Sequence, residues 1–177
     1  MPSTTPIATA LTRGGQETPR IGSLCVVGDP RGRVASTWLG SCVAVVVLDP
    51  EARVAGLVHG LLPDASVDPR RAASQPALFL DTGVPALVQE ALAAGARLER
   101  LRVYLVGGAD PIPSGRSPSD TFLLGRQNAE AARQALHRLG LPILMERTGG
   151  RANRLVTVNL AVPAVSVRTT QGGEETL

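Results

Sequence analysis

Two side chains in the stretch 36–63, Cys42 and His59, are of types that do chemistry together. A thiol beside an imidazole is a candidate nucleophile with its base. Between them lie two apolar β-type runs, 43–48 and 53–58, separated by Asp49-Pro50-Glu51-Ala52, a turn sequence with Asp first and Pro second. This reads as a hairpin. If those four residues form the loop, Leu48 faces Arg53, and counting back along both strands places Cys42 opposite His59. Directly opposed residues have Cβ atoms roughly 4.5 to 5.5 Å apart, close enough for the two groups to meet. A slip of one residue would put them on opposite faces.

Taken singly, each residue has a plainer reading. A lone cysteine is most often a small buried hydrophobe, and a lone histidine at a strand end is most often a core residue satisfied by backbone. Only the pairing sets them apart. Gly40 and Ser41 precede Cys42 where a loop enters the strand, so a substrate carbonyl could approach closely and loop amides could form an oxyanion hole. A third group that holds the imidazole need not be a carboxylate. Ser36 and the adjacent Thr37 are the hydroxyls in range, although either could simply make a backbone hydrogen bond. Cys25 could pair with Cys42 only by consuming the proposed nucleophile, a matter that a thiol count decides. His137 stands in an Arg-rich helical stretch and is given no role. Metal-ligand spacing is absent, and neither Gly107-Gly108 nor Gly149-Gly150 continues into a phosphate loop, so no metal and no cofactor is expected.

The elements that must position these residues read as mixed α and β, an α+β fold. Apolar runs at 24–27, 34–39, 101–106, 143–146, 155–160 and 162–167 are predicted strands, in addition to the hairpin. Apolar spacing predicts helices over 82–94, capped by Asp81 with Pro85 in the first turn, and over 125–139. Residues 64–75 form a polar connection that could rim the site, and Pro111, Pro113 and Pro118 mark a long surface loop. The 177 residues suit one domain, with 1–20 a disordered lead-in, 21–168 the catalytic domain and 169–177 a flexible tail.

Aromatics are only 2% of the chain, so Val, Leu and Ala must fill the core. All 18 basic residues are Arg, dispersed, with a net charge of +3 and no basic run, which argues against nucleic acid as partner. Residues 1–15 do not read as a signal peptide and nothing approaches a membrane span. With so few cysteines, a reducing, cytoplasmic setting is expected, without direct membrane insertion.

Several motifs together resemble the chemoreceptor glutamine deamidases, the CheD family: L-G-S-C-V-A-V at 39–45, D-P at 49–50, H-G-L-L-P at 59–63, D-T at 81–82, G-G-A at 107–109, L-G-R-Q-N at 124–128 and T-G-G at 148–150. The resemblance implies a mixed β-sheet with flanking helices, like the catalytic domain of glutamine-deamidating toxins. It implies that Cys42 attacks the carboxamide of a glutamine in a methyl-accepting chemotaxis receptor, that His59 serves as base and then acid, and that a thioester is hydrolysed to glutamate. The family's third member falls on Ser36, with Thr37 as the fallback. Leu61, Gln127 and Arg147 depart from the family's usual residues and bear on which surface can dock. A second partner is implied, a CheC-type phosphatase of the chemotaxis response regulator. The alternative function is accordingly an interaction module that regulates such a phosphatase, and a thiol hydrolase of another amide is a third reading.

Overall fold

The unbroken apolar run ahead of Asp49 is the pattern of a strand covered on both faces. In the computed structural model, which describes residues 15–110 and 124–177, that run lies at the centre of a layered α+β arrangement. The strands are β1 (Gln16–Glu17), β2 (Ser23–Val27), β3 (Arg33–Ala35), β4 (Val43–Asp49), β5 (Val54–Gly60), β6 (Arg102–Gly107), β7 (Ile143–Thr148), β8 (Arg154–Asn159), β9 (Ala164–Thr169) and β10 (Glu174–Thr176). The helices are α1 (Pro69–Ser74), α2 (Leu80–Ala93) and α3 (Leu124–Arg138). One sheet has the order β2-β5-β4-β6-β7 and the other β1-β3-β8-β9-β10.

Side chains alternate along a strand, so β4 feeds two cores. Val43, Val45 and Val47 join Leu80, Val84 and Leu87 of α2 and Ala132 and Leu136 of α3. Ala44, Val46 and Leu48 join Val156 and Val158 of β8 and Val165 and Val167 of β9. The layers are therefore helices, first sheet, second sheet. Each fully buried aliphatic side chain contributes roughly 1.5 to 3 kcal/mol, so β5, which carries His59, and β4, which Cys42 leads into, are anchored from both sides. Helix α2 lies close on β5 because Gly60 leaves room for it: a β-carbon there would sit 2.7 Å from Leu80.

The hairpin forms, but its register differs from the count along the sequence. β4 pairs with β5 as Asp49↔Val54, Leu48↔Ala55 and Ala44↔His59, so the loop is 50–53 and His59 faces Ala44 rather than Cys42. The cause is Asp49. It stays in the strand, wholly buried, and its Oδ1 accepts from the amides of Glu51 (3.0 Å) and Ala52 (2.9 Å). Its Oδ2 accepts from the Arg97 amide (2.9 Å) and Arg100 Nε (3.0 Å). Burial opposes the charge, but these donors outweigh it and hold the carboxyl below its ordinary range. Arg53 closes the loop at φ 55° and donates to the carbonyls of Leu160 (2.6 Å) and Ala161 (3.0 Å). The shift is two residues, so Cys42 and His59 stay on one face, now as diagonal neighbours.

Helix α2 starts at Leu80, ahead of the expected 82, and Pro85 lies inside it rather than in its first turn. The amides of Leu80 and Asp81 donate to the carbonyls of Leu62 (2.9 Å) and Pro63 (3.3 Å), so the backbone leaving β5 caps the helix and no side-chain cap is needed. Asp81 instead accepts from the Ala65 amide at 3.0 Å. The connection 64–75 is structured: Asp64 starts a 3-10 turn, Ala65–Val67, and Asp68 starts α1. Helix α3 agrees with the expected 125–139 to within one residue.

The expected tail 169–177 holds a strand. β10 pairs with β9, and Arg147 Nε meets Glu175 Oε1 at 2.5 Å. Gln16 and Glu17, within the expected lead-in, pair with Arg33 and Val34 of β3. The remainder of the lead-in, 1–14, and the prolines 111, 113 and 118 lie outside the described residues. No helix among the described residues is long and apolar enough to cross a membrane.

Candidate active site

Cys42 precedes β4 by one residue and is 8% exposed; His59, near the end of β5, is wholly buried. Diagonal neighbours across a strand pair have Cα atoms roughly 7 to 8 Å apart and stay within reach of longer side chains. The loop that carries the thiol is held from two sides, by the segment after β6 and by α3. The amide of Gly108 donates to the Cys42 carbonyl (2.7 Å) and that of Ala109 to the Gly40 carbonyl (2.8 Å). Gly107 permits this approach: it has φ 114°, and a β-carbon on it would lie 2.3 Å from the Cys42 carbonyl oxygen. Asn128 of α3, wholly buried, donates through Nδ2 to the carbonyls of Ser41 (2.9 Å) and Leu61 (2.8 Å). It ties the thiol loop to the chain two residues beyond His59.

Neither role is legible in the sequence. A glycine pair has a sufficient local explanation as a turn, and an asparagine within a helix carries no sign of what it will meet. The motifs G-G-A and L-G-R-Q-N were the available signal, and only the tertiary fold shows both converging on the Cys42 loop.

Of the two hydroxyls, it is Thr37 that the structure brings to the imidazole, with Oγ1 3.4 Å from His59 Nδ1. Ser36 is spent on the second sheet: its Oγ accepts from the Val156 amide (3.0 Å) and its own amide donates to the Val156 carbonyl (2.9 Å). Neighbours on an extended chain point opposite ways, so the pairing of Ser36 with β8 turns Thr37 toward His59. Nε2 of His59 is buried without a hydrogen-bond partner among the described residues. The amides of Gly40 and Ser41 donate to no backbone carbonyl among them.

Burial lowers the His59 imidazole to about 4, only partly opposed by the Pro19 carbonyl. Burial likewise pushes the Cys42 thiol up, against a hydrogen bond from its own amide. At neutral pH the pair is therefore thiol and neutral imidazole, not thiolate and imidazolium. Alkylation of Cys42 by iodoacetamide should accordingly rise with pH through and beyond the neutral range. A rate already at its plateau by about pH 6 would instead show a preformed ion pair.

Cys25, on β2 opposite Leu57, is a different environment. Burial and the charge of Glu17 push its thiol up to about 12, and both cysteines are free thiols. His137 lies in the last turn of α3 and does not join the site. A groove of about 640 Å³ begins just beyond H-G-L-L-P, lined by Pro63, Asp64, Asp81, Arg126, Gln127 and Arg138. Asp64 of the polar connection and Gln127 line this groove, which includes neither Cys42 nor His59; Leu61 is half-buried with its carbonyl held by Asn128, and Arg147 is engaged by Glu175.

The fold and site define an α+β protein of two sheets and a helical layer, with a buried thiol and imidazole on one face of its central hairpin. Residues 61–169 match the family model described as CheD chemotactic sensory transduction. The chain is 36% identical over 137 residues to a probable chemoreceptor glutamine deamidase CheD of Solibacter usitatus, covering 77% of this chain and 79% of that one. It is 36% identical over 155 residues to the chemoreceptor glutamine deamidase CheD of Thermotoga maritima, covering 88% and 92%. A Pyrococcus abyssi protein named probable chemoreceptor glutamine deamidase CheD is 36% identical over 148 residues, covering 84% and 88%. The chain belongs to the CheD family.

Proposed function

We propose that the protein deamidates glutamine side chains of methyl-accepting chemotaxis receptors, converting them to glutamate with release of ammonia, and that Cys42 is the nucleophile. The observation that carries this reading is the state of His59 in a member of the CheD family. One imidazole nitrogen meets Thr37, the other has no partner among the described residues, and the ring shares a face of the hairpin with Cys42.

The reaction proceeds as follows. His59 takes the thiol proton as the sulfur bonds to the carboxamide carbon, and the amides of Gly40 and Ser41 receive the developing oxyanion. The tetrahedral adduct collapses, the C–N bond breaks, and the imidazolium hands its proton to the departing ammonia. Water, deprotonated by His59, attacks the thioester. The S–C bond breaks, the proton returns to the sulfur, and glutamate is left. Thr37 orients the ring, and no cofactor takes part. The protein acts from the cytoplasmic side, where a CheC-type phosphatase is a second partner.

The test is to incubate the protein with a receptor cytoplasmic fragment and follow ammonia release together with intact mass, which rises by about 1 Da for each amide converted to acid by this chemistry. A protein whose sole work is binding a phosphatase converts nothing. Two variants separate the hydroxyls. Thr37→Ala should lower kcat about tenfold, since orienting a base is worth less than supplying one. Ser36→Ala should keep turnover but cost about 1 to 2 kcal/mol of stability through the stranded Val156 amide. The reverse pattern returns the orienting role to Ser36.

A further inference from the structure

Asn128 spends both protons of its Nδ2 on main-chain carbonyls, those of Ser41 (2.9 Å) and Leu61 (2.8 Å). Two carbonyls can be met only by the amide nitrogen, so the side chain has one orientation. Its Oδ1 is left buried without a partner among the described residues. A buried acceptor left unmatched is a cost that packing alone does not explain. The helix that carries Asn128 is seated directly on the segment after β6: a β-carbon on Gly125, in the first turn of α3, would lie 2.6 Å from the Gly108 carbonyl oxygen.

Four successive carbonyls leading to the thiol are held. The amides of Arg154, Ala109 and Gly108 hold those of Leu39 (3.0 Å), Gly40 (2.8 Å) and Cys42 (2.7 Å), and Asn128 alone holds that of Ser41 with a side chain. A trans peptide directs its N–H opposite to its C=O, so the grip on the Ser41 carbonyl turns the Cys42 amide away from α3. That amide donates to no backbone carbonyl among the described residues and is hydrogen-bonded to its own sulfur. It therefore stands beside the atom that attacks, where the carboxamide oxygen gathers charge. We propose that the Cys42 amide joins those of Gly40 and Ser41 as an oxyanion donor, and that Asn128 is the positioning residue that aims it. This rests on the deamidase reading above. Asn128 acts through the peptide it holds and takes no part in proton transfer.

The first readout needs no variant. A receptor peptide carrying an aldehyde in place of the target carboxamide is added to the wild-type protein; the Cys42 sulfur bonds to the aldehyde carbon, the thiol proton ends on the oxygen, and nothing departs. The amide proton of Cys42, followed by NMR, should move downfield and exchange more slowly with water once the adduct forms. An adduct that leaves it unmoved overturns the proposal. In Asn128→Ala, kcat for glutamine conversion should fall about 30-fold with KM within about twofold, since a donor is misaimed rather than removed. Alkylation of Cys42 by iodoacetamide forms no oxyanion and should keep its rate and pH profile within about twofold. An unchanged kcat overturns the proposal, and so does a parallel fall in kcat and alkylation, which would make Asn128 a fastener of the loop alone. If the wild type converts glutamine while any of these contrary results appears, this inference alone fails; if the wild type converts none, the deamidase reading fails and the inference falls with it.

Discussion

Replacing His59 by alanine is expected to lower kcat for glutamine conversion by about 10³-fold, with KM changed only a few-fold. The size follows from the protonation states. Burial raises the Cys42 thiol, so at neutral pH little thiolate is present for a second group to exploit. The proton must leave as the sulfur attacks, and it must then reach the ammonia. Both transfers are assigned to the one ring. Hydroxide can replace the base but not its position, so the gap between wild type and variant should narrow as pH rises. A variant that retains a tenth or more of wild-type kcat at pH 7 would contradict the role.

The same burial makes His59 a stability element with a definite sign. Its folded value is about 4 against an ordinary 6.5, so between those limits the unfolded chain takes up a proton that the folded one refuses. Stability is fully present above about pH 6.5 and falls on acidification toward pH 4, by about 3 kcal/mol in all. Urea midpoints at pH 7 and pH 4.5 should therefore differ less for His59→Gln than for the wild type. An identical difference in both would mean that the ring is not held neutral.

The second large effect is expected from Gly107→Ala. The new methyl would fall 2.3 Å from the Cys42 carbonyl oxygen and 3.2 Å from Val43 Cα, backbone atoms that cannot rotate away, at a φ of 114°. A loss of about 3 kcal/mol or more, or about 10 °C in Tm, should follow. Molecules that still fold should have reduced kcat, because the carbonyl that must move belongs to Cys42, the proposed nucleophile. Gly95→Ala is the control. It has a comparable φ of 101° but nothing within 4 Å, so strain acts alone and should cost about 1 kcal/mol. Equal melting temperatures for the two variants would show that the contact with the Cys42 loop is not tight.

Where pattern and packing coincide, the chain was legible. The apolar run of β4, the apolar stripe of α3 and the aliphatic composition of the core are local properties, and each predicts what the fold contains. The hairpin register was not local. Asp49 reads as a turn residue, but Arg97 and Arg100, far along the chain, draw it into the strand and move the pairing by two. That the error was two rather than one is why the thiol and imidazole remain on one face. The choice between Ser36 and Thr37 turned on β8, more than a hundred residues away, which takes the serine and leaves the threonine for His59. Asn128 and Gly107 were visible as motif residues and unreadable as clamps. Glu174 and Glu175 look like a polar tail because backbone pairing with β9 and the Arg147 ion pair, not apolar burial, hold them.

The central claim is that Cys42 performs the deamidation. It is tested most directly by the intact mass of one receptor cytoplasmic fragment incubated in parallel with the wild-type protein and with Cys42→Ala. The account predicts a gain of about 1 Da per target glutamine with the wild type and none with the variant; an equal gain with both would contradict it.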